Sequence, residues 1–196
     1  MVEFINVSKR FKNQIVLNEL SFVINNSDIT LLVGHNGSGK STTINLILGL
    51  LHLKKTDSGQ INNDFSFVSY FPEKFVLPSL VGSHKFLLTY FDGIRSKKEI
   101  TYYMERYKVY DKLICNLSKG MGQKVILVKT LLEESDLYIF DEPLNGLDEE
   151  SKELLKEDII NLNKRGKAII ISTHDPEFFM DIKTNIIRLG EDDEKH

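Results

Sequence analysis

A single cysteine, Cys115, stands in this 196-residue chain. An internal disulfide framework is therefore excluded, and the chain suits a reducing cytosol. Positive charge is not in excess either: 25 Lys and Arg against 28 Asp and Glu leave a net charge of -3. That balance argues against nucleic acid as a partner, because such binders ordinarily carry a basic surplus. No apolar run approaches the roughly 20 residues needed to cross a bilayer. The nearest, "INLILGLLHL", is interrupted by Asn45 and His52. The opening stretch "MVEFINVSKRF" lacks the basic and long apolar regions of a signal peptide. Internal repeats and low-complexity segments are missing as well. The remainder, 41% hydrophobic and 27% charged, is ordinary for a globular protein.

Seven apolar runs of strand length recur: "EFINV", "LSFVI", "ITLLVG", "FSFVSY", "LYIFDE", "AIIIST" and "NIIRL". The later ones are nearly continuous Ile, Leu and Val, as strands buried on both faces require. Helix-like segments lie near 40–51, 119–133, 149–164 and 175–182. The third places acidic residues early, apolar residues three and four apart, and Gly166 at its end. Strand alternating with helix predicts an α/β domain with a mainly parallel sheet. The closely spaced early strands predict an antiparallel β portion at the N-terminus. Residues 79–116 break the alternation with two short helices, "VGSHKFLLTYF" and "SKKEITYYMERYKVY". Twelve of nineteen aromatics fall between Phe65 and Tyr110. They read as a helical lobe with its own aromatic core or as an exposed patch for a partner. The expected organisation is one domain: a core over 1–74 and 118–190, a helical subdomain over 75–117, and a disordered acidic tail, "EDDEKH", over 191–196.

"LLVGHNGSGKSTTINLILGL" sets Gly34-x-x-x-x-Gly39-Lys40-Ser41 after an apolar strand and before an apolar-periodic helix. That is the context a P-loop demands. Glycines let the backbone turn tightly, so that amide N–H groups point inward at phosphate oxygens. The helix start adds its positive end. Lys40 can reach the outer phosphates, and the Ser41 hydroxyl can ligate Mg²⁺. The expected nucleotide cradle is Gly34, Asn36, Gly37, Ser38, Gly39, Lys40, Ser41 and Thr42.

"LYIFDEP" places Asp141 and Glu142 at the end of a buried strand. A carboxylate there can hold Mg²⁺ through its water shell. Side chains alternate along a strand, so Glu142 points elsewhere and can polarise an attacking water. The alternative reading is that the two carboxylates cap the next turn.

The stretch "LSKGMGQK" narrows the choice among P-loop proteins. Ser118 occupies an N-cap position, Gly120 leaves room for an anion at the backbone, and Lys119 adds charge. With the P-loop first, this stretch next and the acidic strand last along the chain, the whole chain resembles the ATP-binding-cassette (ABC) ATPases, whose signature has the form Leu-Ser-Gly-Gly-Gln and precedes the acidic strand. The resemblance implies that the Ser118 turn of one subunit covers the γ-phosphate of ATP held by the P-loop of another. The partner would be a second ABC ATPase, as homodimer or heterodimer. It also implies a separate transmembrane permease, ATP hydrolysis with Mg²⁺, and a place on the cytoplasmic face of the membrane.

Further assignments follow from the resemblance. "LNGLD" resembles the D-loop, with Asp148 at the dimer seam. "IISTHD" resembles the switch region, where His174 would bond the γ-phosphate and orient water. "SKRF" resembles the segment whose aromatic stacks on adenine, which points to Phe11; a core Phe is the rival reading there.

Two departures stand out. Glu73, in "SYFPE", occupies the place of a family glutamine. It can approach Mg²⁺, but it adds negative charge and cannot donate a hydrogen bond. Lys119 and Met121 replace Gly and Gln in the signature. That variant looks like the one in ABC-2-type exporters, so the expected function is the ATPase of such an exporter. A non-transport ABC ATPase, a haem-export cassette and an ATP sensor without turnover are the rivals.

Overall fold

A computed structural model describes residues 1–12 and 14–190. The acidic tail expected at 191–196 lies outside the described residues. Three strands, β1 (Val2–Phe11), β2 (Gln14–Ile24) and β4 (Ser58–Asn63), form an antiparallel sheet in the order β2-β1-β4. Five more, β3 (Ile29–Val33), β5 (Val68–Phe71), β6 (Leu137–Asp141), β7 (Ala168–Thr173) and β8 (Asn185–Arg188), form a parallel sheet ordered β5-β6-β7-β3-β8. The expected mixed α/β fold, with its N-terminal antiparallel portion, is what the chain adopts. Every residue of β3, β6 and β7 is buried, which is why those runs carry no polar alternation.

Among the described residues there are five α-helices: α1 (Lys40–Ile47), α2 (Ser83–Tyr90), α3 (Lys97–Arg106), α4 (Lys119–Leu132) and α5 (Glu149–Lys164). Local chemistry sets several starts. Ser96 Oγ accepts from Glu99 N–H at 3.2 Å, a Ser-x-x-Glu cap with Glu99 in the first turn. Asp148 accepts from Ser151 N–H at 2.9 Å and precedes Glu149 and Glu150, which favour the positive helix end. No helix among the described residues is long and apolar enough to cross a membrane.

Several expectations need correction. The helix expected over 175–182 is only a 3-10 turn at Pro176–Phe179, because the segment is too short and turns on towards β8. The strand "FSFVSY" forms only over Val68–Phe71. β4, "SGQINN", was not expected. It pairs at the edge beside β1 and shows no strand-like apolar alternation. The helical lobe does not have a core of its own: Leu87, Phe91, Ile100, Met104 and Tyr107 join Val125, Leu132, Phe140 and Ile171 in one continuous cluster. One hydrophobic layer thus ties α2 and α3 to the parallel sheet through α4.

Candidate functional site

The order β5-β6-β7-β3 brings four C-terminal strand ends side by side. Glu73 follows β5, Asp141 ends β6, His174 follows β7, and the Gly34–Lys40 loop follows β3. In an open parallel sheet, ligands bind at this edge. A cavity of about 560 Å³ opens here, lined on one wall by Asn36, Gly37, Gly39, Lys40, Ser41 and Thr42. Glu73, Asp141, Glu142, His174 and the half-exposed Phe11 line it as well.

The loop geometry explains its glycines. A Cβ on Gly34 would sit 2.4 Å from Ser38 Oγ and 2.6 Å from the Leu189 carbonyl. Gly39, the N-cap of α1, has φ 101°, which L side chains resist, and a Cβ there would meet Leu17 at 2.6 Å. No side chain caps α1 and no acidic residue sits in its first turn, so its leading N–H groups are left for an anion. Lys40 Nζ donates to the carbonyls of Gly34 (2.6 Å) and His35 (3.2 Å) and lies 3.4 Å from Glu142 Oε1.

Asp141 is almost wholly buried, and both of its oxygens are engaged. Ser172 Oγ donates to Oδ1, and Tyr70 Oη donates to Oδ2 at 3.2 Å. Burial pushes this carboxyl above the usual carboxylate range. The two donors oppose the rise, while neighbouring Glu73 and Glu142 add to it. Burial and the adjacent Asp141 likewise push the Tyr70 hydroxyl up. Ser172 serves twice, because its Oγ also accepts from Glu142 N–H at 3.0 Å.

Glu142 sits at φ 49°, a left-handed conformation unusual for a non-glycine residue. That kink turns its side chain into the cavity, next to Asp141 but differently aimed. Its Oε2 lies 2.8 Å from His174 Nδ1. Its Oε1 is buried and accepts no hydrogen bond among the described residues, although Lys40 stands near. A carboxylate oxygen left unsatisfied inside a cavity wall is poised to take a proton or a donor.

Five expected residues do not line the cavity: Gly34 and Ser38, which belong to the loop itself, and three from outside it. Ser118 caps α4, its Oγ accepting from Met121 N–H at 3.3 Å, and with Lys119 it lines a separate groove of about 350 Å³. Gly120 packs on the carbonyl of Gly146, where a Cβ would come within 2.6 Å. Asp148 is bound to Lys124 Nζ at 2.6 Å and caps α5, and these hydrogen bonds hold its carboxyl far below the usual range. Within one chain, then, Ser118, Gly120 and Asp148 do not reach the cavity that holds Lys40. Glu73 lines both the cavity and the groove.

Other lining residues escaped the sequence reading. Gln14 and Val16 reach the cavity because β1 and β2 slip register between Lys9 and Arg10: Lys9 pairs with Leu17 but Arg10 with Ile15. The extra residue is Val16, and such a bulge re-aims side chains. Asn145 and His35 also line it. Only the neighbouring motifs hint at these last two.

Residues 17–145 match the family profile described as "ABC transporter". The zinc import ATP-binding protein ZnuC of Rickettsia bellii is 35% identical over 190 residues, covering 94% of this chain and 80% of that protein. The SkfA peptide export ATP-binding protein SkfE of Bacillus subtilis is 30% identical over 196 residues, covering 93% and 82%. A solved "ATP binding subunit of ABC transporter" superposes with a TM-score of 0.82 at 27% identity, over 96% of this chain and 85% of that one. The P-loop, the buried strand-end carboxylates and the capped Ser118 turn all fall where that likeness runs, and the chain belongs to the ABC transporter family as an ATP-binding, ATP-hydrolysing subunit.

Proposed function

We propose that two such subunits, identical or homologous, close head to tail with each ATP between the Lys40 loop of one and the Ser118 turn of the other. The observation that carries this is the separation just described. One chain gathers the Lys40 loop and the strand-end carboxylates into one cavity, while the Ser118 helix start lines a separate groove, and a helix start suits an anion. Ser118, Gly120 and Asp148 would then serve the partner's nucleotide. Lys40 and the Asn36–Thr42 amides bind the phosphates. Phe11 offers a half-exposed ring to adenine. Glu142 accepts a proton from the attacking water, whose oxygen bonds to the γ-phosphorus as the bond to the β-phosphate bridging oxygen breaks. His174 orients that water and the terminal phosphate.

The residues fit Mg²⁺. No group of three or more His, Cys, Asp or Glu stands ready as a metal cage among the described residues. Asp141, Glu73 and the Ser41 hydroxyl line one cavity, and Mg²⁺ favours such a sparse set completed by water and phosphate. When bound there it would neutralise charge on the phosphates.

A separate membrane permease would receive the closing motion. The apolar groove of Phe75, Leu77, Ile114 and Leu117, with Val76 and Leu80 exposed beside it, is the proposed docking place. It lies between the core (1–74 and 118–190) and the helical subdomain (75–117). This would hold the subunit on the cytoplasmic face of the membrane. Export is proposed from Lys119 and Met121 alone, since similar proteins are named for zinc import as well as peptide export. Release of inorganic phosphate from Mg·ATP tests the reading. Turnover above that of Glu142→Gln is expected; equal, background-level release would point to an ATP sensor.

A further inference from the structure

Lys9 is an unusual residue: its side chain is wholly covered, although lysine is rarely buried. Its Nζ donates to Asp57 Oδ2 at 2.5 Å and to the His52 carbonyl at 3.0 Å. Asp57 is equally covered, and it also accepts from Arg10 N–H (3.0 Å) and Lys54 N–H (2.7 Å). Burying an ion pair gains little stability over an apolar pair of similar volume, because both charges lose their hydration. Placement gives this pair a purpose. Lys9 Nζ lies 5.4 Å from the centroid of the Phe11 ring, within cation–π range. The loop that Lys9 and Arg10 grip, residues 52–57, follows α1, the helix that opens at the phosphate cradle.

We propose that Lys9, clamped by Asp57, is a positioning residue for the nucleotide base. It fixes the Phe11 ring relative to the phosphate loop and presents a cation behind that ring. A cation on one side draws π density towards itself, which leaves the opposite face better suited to an electron-rich purine. The tether and the cation act only on the base end of the ligand. The phosphate contacts of Lys40 and the loop amides do not depend on them. This inference rests on the reading of Phe11 as the adenine platform.

Lys9→Met alone would leave Asp57 buried without its counter-charge, so the variant to use is Lys9→Met/Asp57→Asn, with folding checked by circular dichroism. Affinity is measured by calorimetry for Mg·ATP and for magnesium tripolyphosphate, which has no base. The double variant is expected to bind ATP about fivefold more weakly, in line with a lost cation–π contact and ring placement, and tripolyphosphate as before. Equal losses for both ligands, or no loss for ATP, would overturn the proposal. Phe11→Ala separates the two layers. If it weakens ATP binding while the double variant does not, Lys9 has no role and the Phe11 platform stands. If Phe11→Ala also leaves ATP binding unchanged, the platform itself is wrong and the proposal falls with it.

Discussion

His174 Nδ1 lies 2.8 Å from Oε2 of Glu142, and the other oxygen of that carboxylate faces Lys40 Nζ at 3.4 Å. The two groups proposed to meet the terminal phosphate therefore also grip the proposed base. A triphosphate drawing Lys40 and His174 towards itself would leave Glu142 to a water molecule. On the proposed reading, binding and activation would be linked through these three side chains.

Glu142→Gln keeps the shape and the acceptor oxygen but cannot take a proton. Hydrolysis should fall by about 10²-fold or more, the usual range for a general base, with nucleotide affinity retained. Steady-state phosphate release together with calorimetry checks this. Near-normal turnover would remove Glu142 from its role.

Lys40→Ala should behave differently, because it deletes the proposed phosphate contact rather than the proposed base. ATP affinity should fall at least about tenfold, consistent with a charge-assisted hydrogen bond. An unchanged dissociation constant would mean that the phosphates do not lie against the loop.

The pH dependence of stability should carry the mark of Asp57. Burial alone would raise its carboxyl, but hydrogen bonds from Lys54 N–H, Lys9 and Arg10 N–H bring it down to about 2. Its unfolded value is about 3.9. A depressed carboxylate stabilises the fold fully above the unfolded value, and that contribution disappears as pH falls towards the folded one. Urea unfolding should show stability dropping between about pH 4 and pH 2, and a shallower drop in Asp57→Asn.

Asp141 should show the opposite sign. Its carboxyl is raised by burial, so the folded protein binds a proton more readily than the unfolded chain, and the ionised form costs stability above the ordinary carboxylate value. Asp141→Asn should raise the melting temperature of protein without added nucleotide near neutral pH while abolishing turnover. A lowered melting temperature would show that the Ser172 and Tyr70 bonds outweigh burial.

Tyr107 Oη donates to Asp158 Oδ2 at 2.7 Å, joining α3 to α5, and Arg106 Nε reaches the same oxygen at 3.2 Å. Tyr107→Phe should cost about 1.5 kcal/mol in denaturant unfolding, the lower range for a hydrogen bond to a charged group, since Arg106 still satisfies the acceptor. No loss would mean that Arg106 suffices alone.

The buried strands were legible because β6 and β7 are largely apolar up to Asp141, Ser172 and Thr173 at their ends, and the loop after β3 because Gly34, Gly39 and Lys40 answer to geometric demands of one short turn. β4 was not legible, since its sequence "SGQINN" is polar and it is a strand only because β1 offers a free edge. Nor were the donors to Asp141. Ser172 and Tyr70 reach it only because β6 registers Asp141 opposite Ser172 and Tyr70 opposite Ile139, relationships set by pairing across the sheet. Ser118 shows a different limit: its cap is visible locally, while its proposed ligand lies on another chain.

The dimer is tested most directly by a crosslink. Asn36→Cys and Ser118→Cys, introduced into Glu142→Gln with the exposed Cys115 replaced by Ala, place one thiol at the cradle and one at the α4 start. On oxidation with saturating Mg·ATP, a non-reducing gel should show a covalent dimer that is lost when nucleotide is omitted. Monomer alone under saturating ATP would contradict the shared-nucleotide account.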